Sequence, residues 1–242
     1  MAATAFALVG DRYHNSDYIR TALTKTLVEG VGLSIHFTDE VTRLSADTLA
    51  EYRLLILFRD GMMWPDGYGE EPASEPDVPS RAARTVSWMT DAQGAAVRDF
   101  VRAGGSALLC HNVTYIATDN APFRHALRAA TLGHPPVRPY RVRVTNADHP
   151  ITRGVSDFLV TDEQHYMTYD GDPADVLLRS VNEDGLEFGE HGVECEAGWA
   201  FEEGAGRVCY LAPGHTIPAL WNPEYVTLQQ NAVQWLLRQT LA

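Results

Sequence analysis

The first half of the chain alternates short apolar runs with segments of helical periodicity, and this order restricts the fold more than any other feature. Residues 5–9 and 54–58 are apolar on both faces, as is typical of central parallel strands, and residues 33–37 form another predicted strand between them. A helical pattern over residues 17–29 and a shorter one from Ser45 separate these runs. A βαβαβ order of this kind implies right-handed crossovers. The sequence therefore predicts an α/β fold with a mostly parallel sheet.

The second half of the chain has a more β-like pattern. A capping box at Thr90 opens a helix, and the next apolar run, 107–110, is the fourth predicted strand. Asn120 and Asn222 are predicted to cap two further helices. The later strand-like runs, the last two joined by a turn at 204–206, predict an antiparallel extension of the sheet: 140–144, 175–181, 198–201 and 207–211.

Residues 59–89 interrupt this alternation. Gly, Pro, Glu and Asp dominate the segment, with Trp64 and Trp88 among them. A loop of this length in a compact domain is usually a lid, a binding loop or a disordered insertion. Since neither a linker nor a repeat is visible, we expect a single domain over residues 1–242 with a long insertion at 59–89.

Charge and cysteine content exclude several classes of protein. The formal net charge is −13, which argues against sequence-independent binding of nucleic acid or of an anionic membrane surface. No window approaches the roughly 20 apolar residues that a membrane span needs. Residues 1–4 lead straight into an apolar strand without the pattern of a signal peptide. With three cysteines and no CxxC spacing, a reducing cytoplasm is the expected location.

Several predicted strands and turns end in ionisable side chains. His111 directly follows the run 107–110, and His215 follows the run 207–211. His14 lies just beyond the first strand. Parallel strands present their carboxyl ends at one edge of a sheet, where open α/β folds bind ligands. We therefore expect these imidazoles to share a site, joined by Glu163 from another polar cluster.

Two kinds of chemistry suit this set of residues. Imidazoles and a carboxylate can perform general acid–base catalysis, and they can also hold a divalent metal such as Zn or Mn. His165 lies two residues from Glu163 and would share its face on a strand. We predict His111, Glu163, His215 and His14 as catalytic residues, and the same four as candidate metal ligands. The predicted substrate-binding residues are His134, Trp199, Tyr13, Asn112 and His165.

Each of these side chains also has a purely structural explanation. A histidine in a turn can hydrogen-bond the loop backbone, and a tryptophan is more often part of a core than a platform for a sugar ring. Other chemistries are disfavoured. Cys110 and His111 are neighbours on a strand, so their side chains point to opposite faces. No GxSxG motif occurs, and the turn after the first strand lacks the glycines of a phosphate-binding loop.

Taken in order, these motifs resemble the ThuA-like (trehalose utilisation) family, within the class I glutamine amidotransferase-like superfamily. The resemblance covers nearly the whole chain and implies a flavodoxin-like three-layer sandwich. The matching stretches are 12–14 (RYH), 100–105 (FVRAGG) through to His111, 133–136 (GHPP), 149–154 (HPITRG), 157–158 (DF) with 162–163 (DE), and 198–200 (GWA) through 204–208 (GAGRV) to 214–215 (GH).

The chain departs from the amidotransferase pattern at the catalytic positions. His111 stands where the resemblance places the nucleophilic cysteine, with Cys110 one residue earlier. His215 matches the amidotransferase histidine in position, but Thr216 and Ile217 replace the expected Pro-Glu. Glutamine hydrolysis by that triad is therefore not expected. His165 also stands where the family often has tyrosine.

The resemblance implies a role in catabolism of trehalose and related disaccharides after their oxidation to keto-sugars. The expected activity is acid–base enolisation of a keto-sugar or glycoside such as a keto-trehalose, of isomerase or lyase type. The alternatives are a carbohydrate-binding or sensing domain without turnover, and a metal-dependent hydrolase of a small molecule. The expected partner is a small-molecule sugar, with no nucleic acid and no membrane; a homo-oligomer is left open.

Overall fold

A computed structural model describes residues 4–65 and 84–239. Within them, one nine-stranded sheet and one hydrophobic core run from the first strand to the last helix. The strands are β1 (Ala5–Val9), β2 (Ile35–Thr38), β3 (Leu54–Phe58), β4 (Met62–Met63), β5 (Val86–Ser87), β6 (Ser106–Cys110), β7 (Ala129–Gly133), β8 (Arg138–Val144), β9 (Phe158–Asp162), β10 (Tyr166–Tyr169), β11 (Val176–Val181), β12 (Glu194–Glu203) and β13 (Gly206–Leu211).

The sheet has a parallel half and an antiparallel half. Its strand order is β2-β1-β3-β6-β13-β12-β11-β8-β9. Strands β2, β1, β3, β6 and β13 are parallel, and β1, β3 and β6 are buried along their whole length. In register, Val9 pairs with Phe58, and Leu211 pairs with Cys110. The loops that follow β1, β3, β6 and β13 therefore leave the sheet at one edge.

The antiparallel half begins with the predicted hairpin of β12 and β13 and continues through β11, β8 and β9. Strands β8 and β9 alternate between buried and more exposed residues, as expected where one face of a sheet meets the core. Two short ribbons, β7 with β10 and β4 with β5, lie outside the main sheet.

The helices form two layers. One group packs around α7 and the other around α3, and both α7 and α3 contact β6 and β13, which a sheet allows only from opposite faces. The predicted capping box at Thr90 is present, and Asn120 and Asn222 cap their helices. The helices are α1 (Ser16–Leu23), α2 (Ala46–Leu49), α3 (Asp91–Arg102), α4 (Ile116–Asp119), α5 (Ala121–Leu127), α6 (Ile217–Leu220) and α7 (Pro223–Leu236).

Some boundaries differ from the sequence prediction. The second strand was expected over 33–37 but spans Ile35–Thr38, because the Leu33 amide still donates to Leu27 O at the end of the preceding helical segment. That segment continues α1 as a wider π-helical stretch, Thr24–Glu29. Strands β7, β9 and β10 were not predicted.

The predicted insertion at 59–89 is partly structured. Its two ends pair as β4 and β5, and Trp88 is buried, with its indole Nε1 donating to Asp60 O at 2.6 Å. Residues 66–83 of this predicted loop lie outside the described residues. Across the described segments, none of the helices combines the length and apolar character that crossing a bilayer requires.

Gly10 makes the turn from β1 into α1 possible. Its φ is +93°, and a Cβ there would lie 2.5 Å from Ser16 Cβ and 2.9 Å from Ser16 N. Gly154 also has a positive φ, +75°, but a Cβ there would meet nothing within 4 Å. A side chain at either position would strain the backbone, but only at Gly10 would it also overlap with neighbouring atoms.

We expect Gly10→Ala to destabilise the protein by about 2 kcal/mol more than Gly154→Ala, because only Gly10→Ala adds overpacking to the strain of the left-handed conformation. Urea denaturation followed by circular dichroism measures both. Equal losses for the two variants would show that the close approach of Gly10 to α1 is not what constrains this turn.

Candidate active site

One carboxylate organises the loop after β1. Asp11 Oδ1 accepts hydrogen bonds from the backbone amides of Tyr13 and His14, at 2.8 and 2.9 Å, and lies 2.9 Å from His14 Nδ1. Asp11 Oδ2 accepts from Asp60 N and Asn112 Nδ2, at 2.9 and 2.8 Å. Three loops at the carboxyl edge of the sheet are thereby joined, and the His14 ring is oriented.

His111 begins the loop after β6 in an unusual conformation. Its φ is +54° and its side chain is fully buried. Its Nδ1 lies 2.7 Å from Ala212 O, and its own carbonyl accepts from Tyr210 Oη at 2.7 Å. A non-glycine residue held in the left-handed region at a strand end marks a place where the surroundings override local preference.

A second carboxylate joins β9 to the loop after β13. Asp162 accepts from the backbone amides of Gly214, His215 and Thr216, at 3.3, 3.0 and 3.3 Å, and from Glu163 N at 2.7 Å. Although β9 and β13 are four strands apart in the sheet order, these bonds bring Glu163 beside His215.

The structure brings together the four predicted catalytic residues, called here the inner cluster: His14, His111, Glu163 and His215. His14 Nε2 lies 3.1 Å from His111 Nε2 and 3.0 Å from His215 Nδ1. Glu163 Oε2 lies 3.3 Å from His111 Nε2 and 3.8 Å from His14 Nε2, and Glu163 Oε1 lies 3.2 Å from His215 Nδ1. The donor atoms of these four residues all lie within 4.8 Å of one another.

The partners behind two of the rings determine which nitrogen faces inward with a lone pair. The carbonyl of Ala212 can only accept, so His111 Nδ1 donates to it and the neutral ring has a bare Nε2. Asp11 likewise takes the Nδ1–H of His14. Carboxylate–imidazole pairs of this type orient metal-ligating histidines. Two inward nitrogens 3.1 Å apart repel unless a proton or a cation lies between them.

The pKa values of Asp11 and His14 are shifted by burial and by neighbouring charged groups. Burial alone would raise the pKa of Asp11, but its bonds with His14, Asp60 N and Asn112 lower that pKa to about 2. Burial would lower the pKa of His14, but Asp11 and Glu163 raise it to about 9, so His14 carries a proton at neutral pH when no cation is present. A bound metal would displace that proton.

The pKa values of His111 and Glu163 are shifted by burial and by the neighbouring imidazoles. Burial lowers the pKa of His111, so that ring is neutral. Burial would raise the pKa of Glu163, but its close contacts with the imidazoles of His111, His14, His165 and His215 outweigh it and hold the pKa well below its usual range. Glu163 is therefore an anion in a ring of imidazoles.

Glu163 has two further imidazole neighbours, which with it form the outer cluster: His134, Glu163 and His165. Glu163 Oε2 lies 3.7 Å from His134 Nε2 and 3.4 Å from His165 Nε2. Although residues 163–165 lie between β9 and β10 and not on a strand, His165 and Glu163 face each other as expected. His165 is fully buried, and burial together with the nearby His111 lowers its pKa to about 3.

A cavity of about 340 Å³ opens beside these clusters. All three members of the outer cluster line it, and two members of the inner cluster, His14 and Glu163, do so as well, whereas His111 and His215 are not part of the wall that the described residues form. Tyr13, 53% exposed, stands at its rim and contacts Trp64 edge-on. The lining residues are Tyr13, His14, Asp60, Met62, Asn112, Tyr115, His134, Glu163 and His165.

The prediction that Trp199 binds substrate is wrong. Trp199 is fully buried on β12, stacks on Tyr210 with ring centroids 4.2 Å apart, and donates from its indole Nε1 to Leu127 O at 2.9 Å. Its polar atom is satisfied inside the core, so no surface remains for a sugar. Cys110 is also buried, and burial raises its pKa to about 12, so it is not poised as a nucleophile.

Sequence reasoning missed Asp11, Asp60, Asp162 and Tyr115 as parts of the site. Asp11 lies three residues before His14 and Asp162 lies next to Glu163, but only the histidine and the glutamate were predicted as site residues. Asp60 and Tyr115 had no signal beyond their place after a strand. The position of each of these four residues in the site depends on the conformation of a loop, which the sequence does not predict.

A family model described as trehalose utilisation, ThuA, matches residues 7–236. The chain belongs to the ThuA family. No match was found among curated proteins.

Solved structures of similar fold include two ThuA-like proteins. The one from Bacteroides uniformis is 19% identical with a TM-score of 0.64, covering 96% of this chain and 90% of that one. The one from Parabacteroides merdae is 14% identical with a TM-score of 0.73, covering 100% and 92%. A cytoplasmic protein from Salmonella typhimurium is 16% identical with a TM-score of 0.59, covering 90% and 86%. The predicted α/β, flavodoxin-like fold of the ThuA family is confirmed.

Asp60 provides a test of the site's electrostatics. Its Oδ1 accepts from Met62 N at 2.9 Å, whereas its Oδ2 is buried without a hydrogen-bond partner among the described residues. Burial, with the nearby charge of Asp11, raises the pKa of Asp60 from 3.8 to about 6. Between pH 3.8 and pH 6, Asp60 therefore binds a proton in the folded protein but not in the unfolded chain. This proton binding stabilises the folded protein, and the stabilisation is lost as pH rises through 6.

We expect the stability of Asp60→Asn relative to the wild type to grow as pH rises from about 4 to about 6, by at most about 3 kcal/mol, and then to stay level. The amide keeps the acceptor for Met62 N and removes the buried charge. Urea denaturation of both proteins from pH 4 to pH 8 measures the difference. If the difference in the free energy of unfolding does not change with pH, ionisation of Asp60 does not destabilise the folded protein.

Proposed function

We propose that this ThuA-family protein is a divalent-metal-dependent enzyme that acts on an oxidised (keto) sugar or glycoside, such as a keto-trehalose. Membership of a trehalose-utilisation family indicates a role in carbohydrate metabolism. The observation that carries the proposal is the inner cluster, whose donors converge beside a cavity of about 340 Å³. The description of the Salmonella structure as cytoplasmic fits the location expected for such an enzyme.

The donor set fits a small divalent cation. Metal–nitrogen bonds of about 2.0–2.1 Å in a tetrahedron place neighbouring donors about 3.3 Å apart. The measured separations around His14 Nε2 and Glu163 run from 3.0 to 3.8 Å. Three imidazoles and one carboxylate suit Zn, and Mn is the alternative. The fixed ring orientations of His14 and His111 would hold these ligands in place before any ion arrives.

A divalent cation in this set would act as a Lewis acid towards a substrate oxygen. The inner cluster would then hold the cation. His111 would serve as a metal ligand and not as an acid or base, since its ring is fully buried. The proton transfer falls to a group that lines the cavity. Asp60 is such a group: it lies outside both histidine clusters, and its pKa of about 6 lies near neutrality, as a general base requires.

In the proposed reaction, Asp60 removes the proton from the carbon next to the substrate's carbonyl. The electrons of the C–H bond form a carbon–carbon double bond, and negative charge develops on the carbonyl oxygen beside the inner cluster. Where the deprotonated carbon bears a hydroxyl, transfer of the hydroxyl proton to the former carbonyl oxygen and return of the abstracted proton to the former carbonyl carbon give an isomer. Departure of a substituent, with its bonding electrons, from the carbon on the other side of the deprotonated carbon gives an elimination product and restores the carbonyl. Tyr13 and Trp64 at the rim would contact the sugar ring.

A metal-dependent hydrolase is the second candidate, since the same histidine-rich cluster is the observation that would favour a metal-activated water. The two reactions have separate signatures. Enolisation exchanges a substrate proton with solvent, whereas hydrolysis releases a free monosaccharide without exchange.

We expect the purified protein to bind Zn or Mn. We expect the variants His14→Ala and Glu163→Gln to lose the bound ion, because they remove an imidazole and the carboxylate from the inner cluster. His191→Ala is the matched control, since this exposed histidine lies outside both clusters. Metal content by mass spectrometry after dialysis against each ion measures the effect. Wild-type protein that retains neither ion would contradict the metal centre.

We expect incubation with 3-keto-trehalose or 3-keto-glucose in deuterated water to incorporate deuterium into the sugar, and Asp60→Asn to reduce the rate by about 10²–10⁴-fold. Nuclear magnetic resonance of the sugar measures incorporation and product. Release of glucose without deuterium would favour hydrolysis. Binding of the sugar with neither outcome would leave a binding domain as the better description.

A further inference from the structure

The inner cluster does not account for all the imidazoles around Glu163. His134 and His165 approach the same carboxylate oxygen, Oε2, at 3.7 and 3.4 Å, from the cavity side. Their two rings lie 4.8 Å apart between centroids, and His165 lies 4.4 Å from His111 by the same measure. Glu163 is thus shared by two groups of potential metal donors.

The orientation of His134 resembles that of the inner ligands. Its Nδ1 lies 2.9 Å from Pro135 O, which can only accept, so this nitrogen donates. Its other nitrogen, Nε2, faces an anionic oxygen and has a free lone pair whenever it carries no proton. Two groups bearing lone pairs face each other favourably only with a positive charge between them.

We infer that His134, Glu163 and His165 form a second cation subsite, and that Glu163 bridges it to the inner cluster as the shared ligand of a two-metal centre. This inference rests on the metal centre of the proposed function. Carboxylate-bridged metal pairs in enzymes are about 3.5–4 Å apart. Glu163 contacts donors of both clusters: Oε1 lies beside His215, and Oε2 lies between His111 on the inner side and His134 and His165 on the cavity side.

The two subsites differ in their access to the cavity. The inner cluster offers four protein donors, and two of them, His111 and His215, are not among the residues that line the cavity. The outer cluster offers three donors, all of which line the cavity. An ion held by three protein donors keeps more of its coordination positions for substrate than an ion held by four. The outer subsite would therefore be the weaker one, and its ion would meet the sugar's oxygens together with the ion of the inner cluster.

Titration of the metal-free full-length protein with Mn²⁺ tests this inference. We expect two ions per chain, a tight and a weaker one, and an electron paramagnetic resonance spectrum of an exchange-coupled pair when both are bound. In His134→Ala the weaker event and the coupling disappear, while the tight dissociation constant changes by less than about tenfold, because His134 is outside the inner ligands. His191→Ala keeps both events.

The outcomes separate the two proposals. No bound Mn²⁺ in the wild type, or Zn²⁺ in its place, would overturn the metal centre and this inference together. One ion per chain with an uncoupled spectrum would overturn the second subsite alone, as would two coupled ions in His134→Ala. His165→Asn is a second variant with the same expected loss, and circular dichroism confirms that each variant is folded. Crystals of the Mn-loaded protein should show two anomalous peaks flanking Glu163.

Discussion

The side chain of Asp11 is the interaction on which the candidate site depends. Its two oxygens accept from the amides of the loop after β1, from Asp60 N after β3 and from Asn112 after β6. Three loops that leave parallel strands at one edge are thereby held in a single arrangement. Asp162 does the same for the loop after β13. Since charge-assisted bonds to backbone amides are among the stronger ones, these two carboxylates fix the loops that carry the histidines.

The imidazoles are arranged against their local preferences. His111 has a φ of +54°, which costs about 1–2 kcal/mol for a residue with a side chain, and its ring is fully buried. The bonds with Ala212 O and Tyr210 Oη offset this cost and turn the bare Nε2 inward. Strain that is compensated in this way, beside a cavity, is typical of sites selected for chemistry and not for stability. The buried Oδ2 of Asp60, which has no hydrogen-bond partner among residues 4–65 and 84–239, is a second feature of this kind.

The sequence predicted most strands of the main sheet and missed β9 and the short ribbons. β1 and β3 were predicted at their observed bounds, because runs that are apolar on both faces are typical of central strands. The antiparallel strands β8, β11 and β12 were also predicted, with different bounds. β7 contains small residues with little strand propensity, and β10 has only four residues, so neither had a clear period. The prediction for Trp199 failed because burial depends on which strands flank β12, which no local pattern reports.

The sequence by itself determined the order of the strands in the chain and the residues at their carboxyl ends, because hydrophobic periodicity is a local property. It therefore placed His14, His111 and His215 at one edge of a sheet. Only the tertiary structure decided that β9 returns Glu163 to that edge and that five imidazoles surround one carboxylate. It also decided which ring nitrogens face inward. These features depend on contacts between segments as distant as Asp11 and Asn112 or Asp162 and His215, which are set by packing and by partners that no sequence window contains.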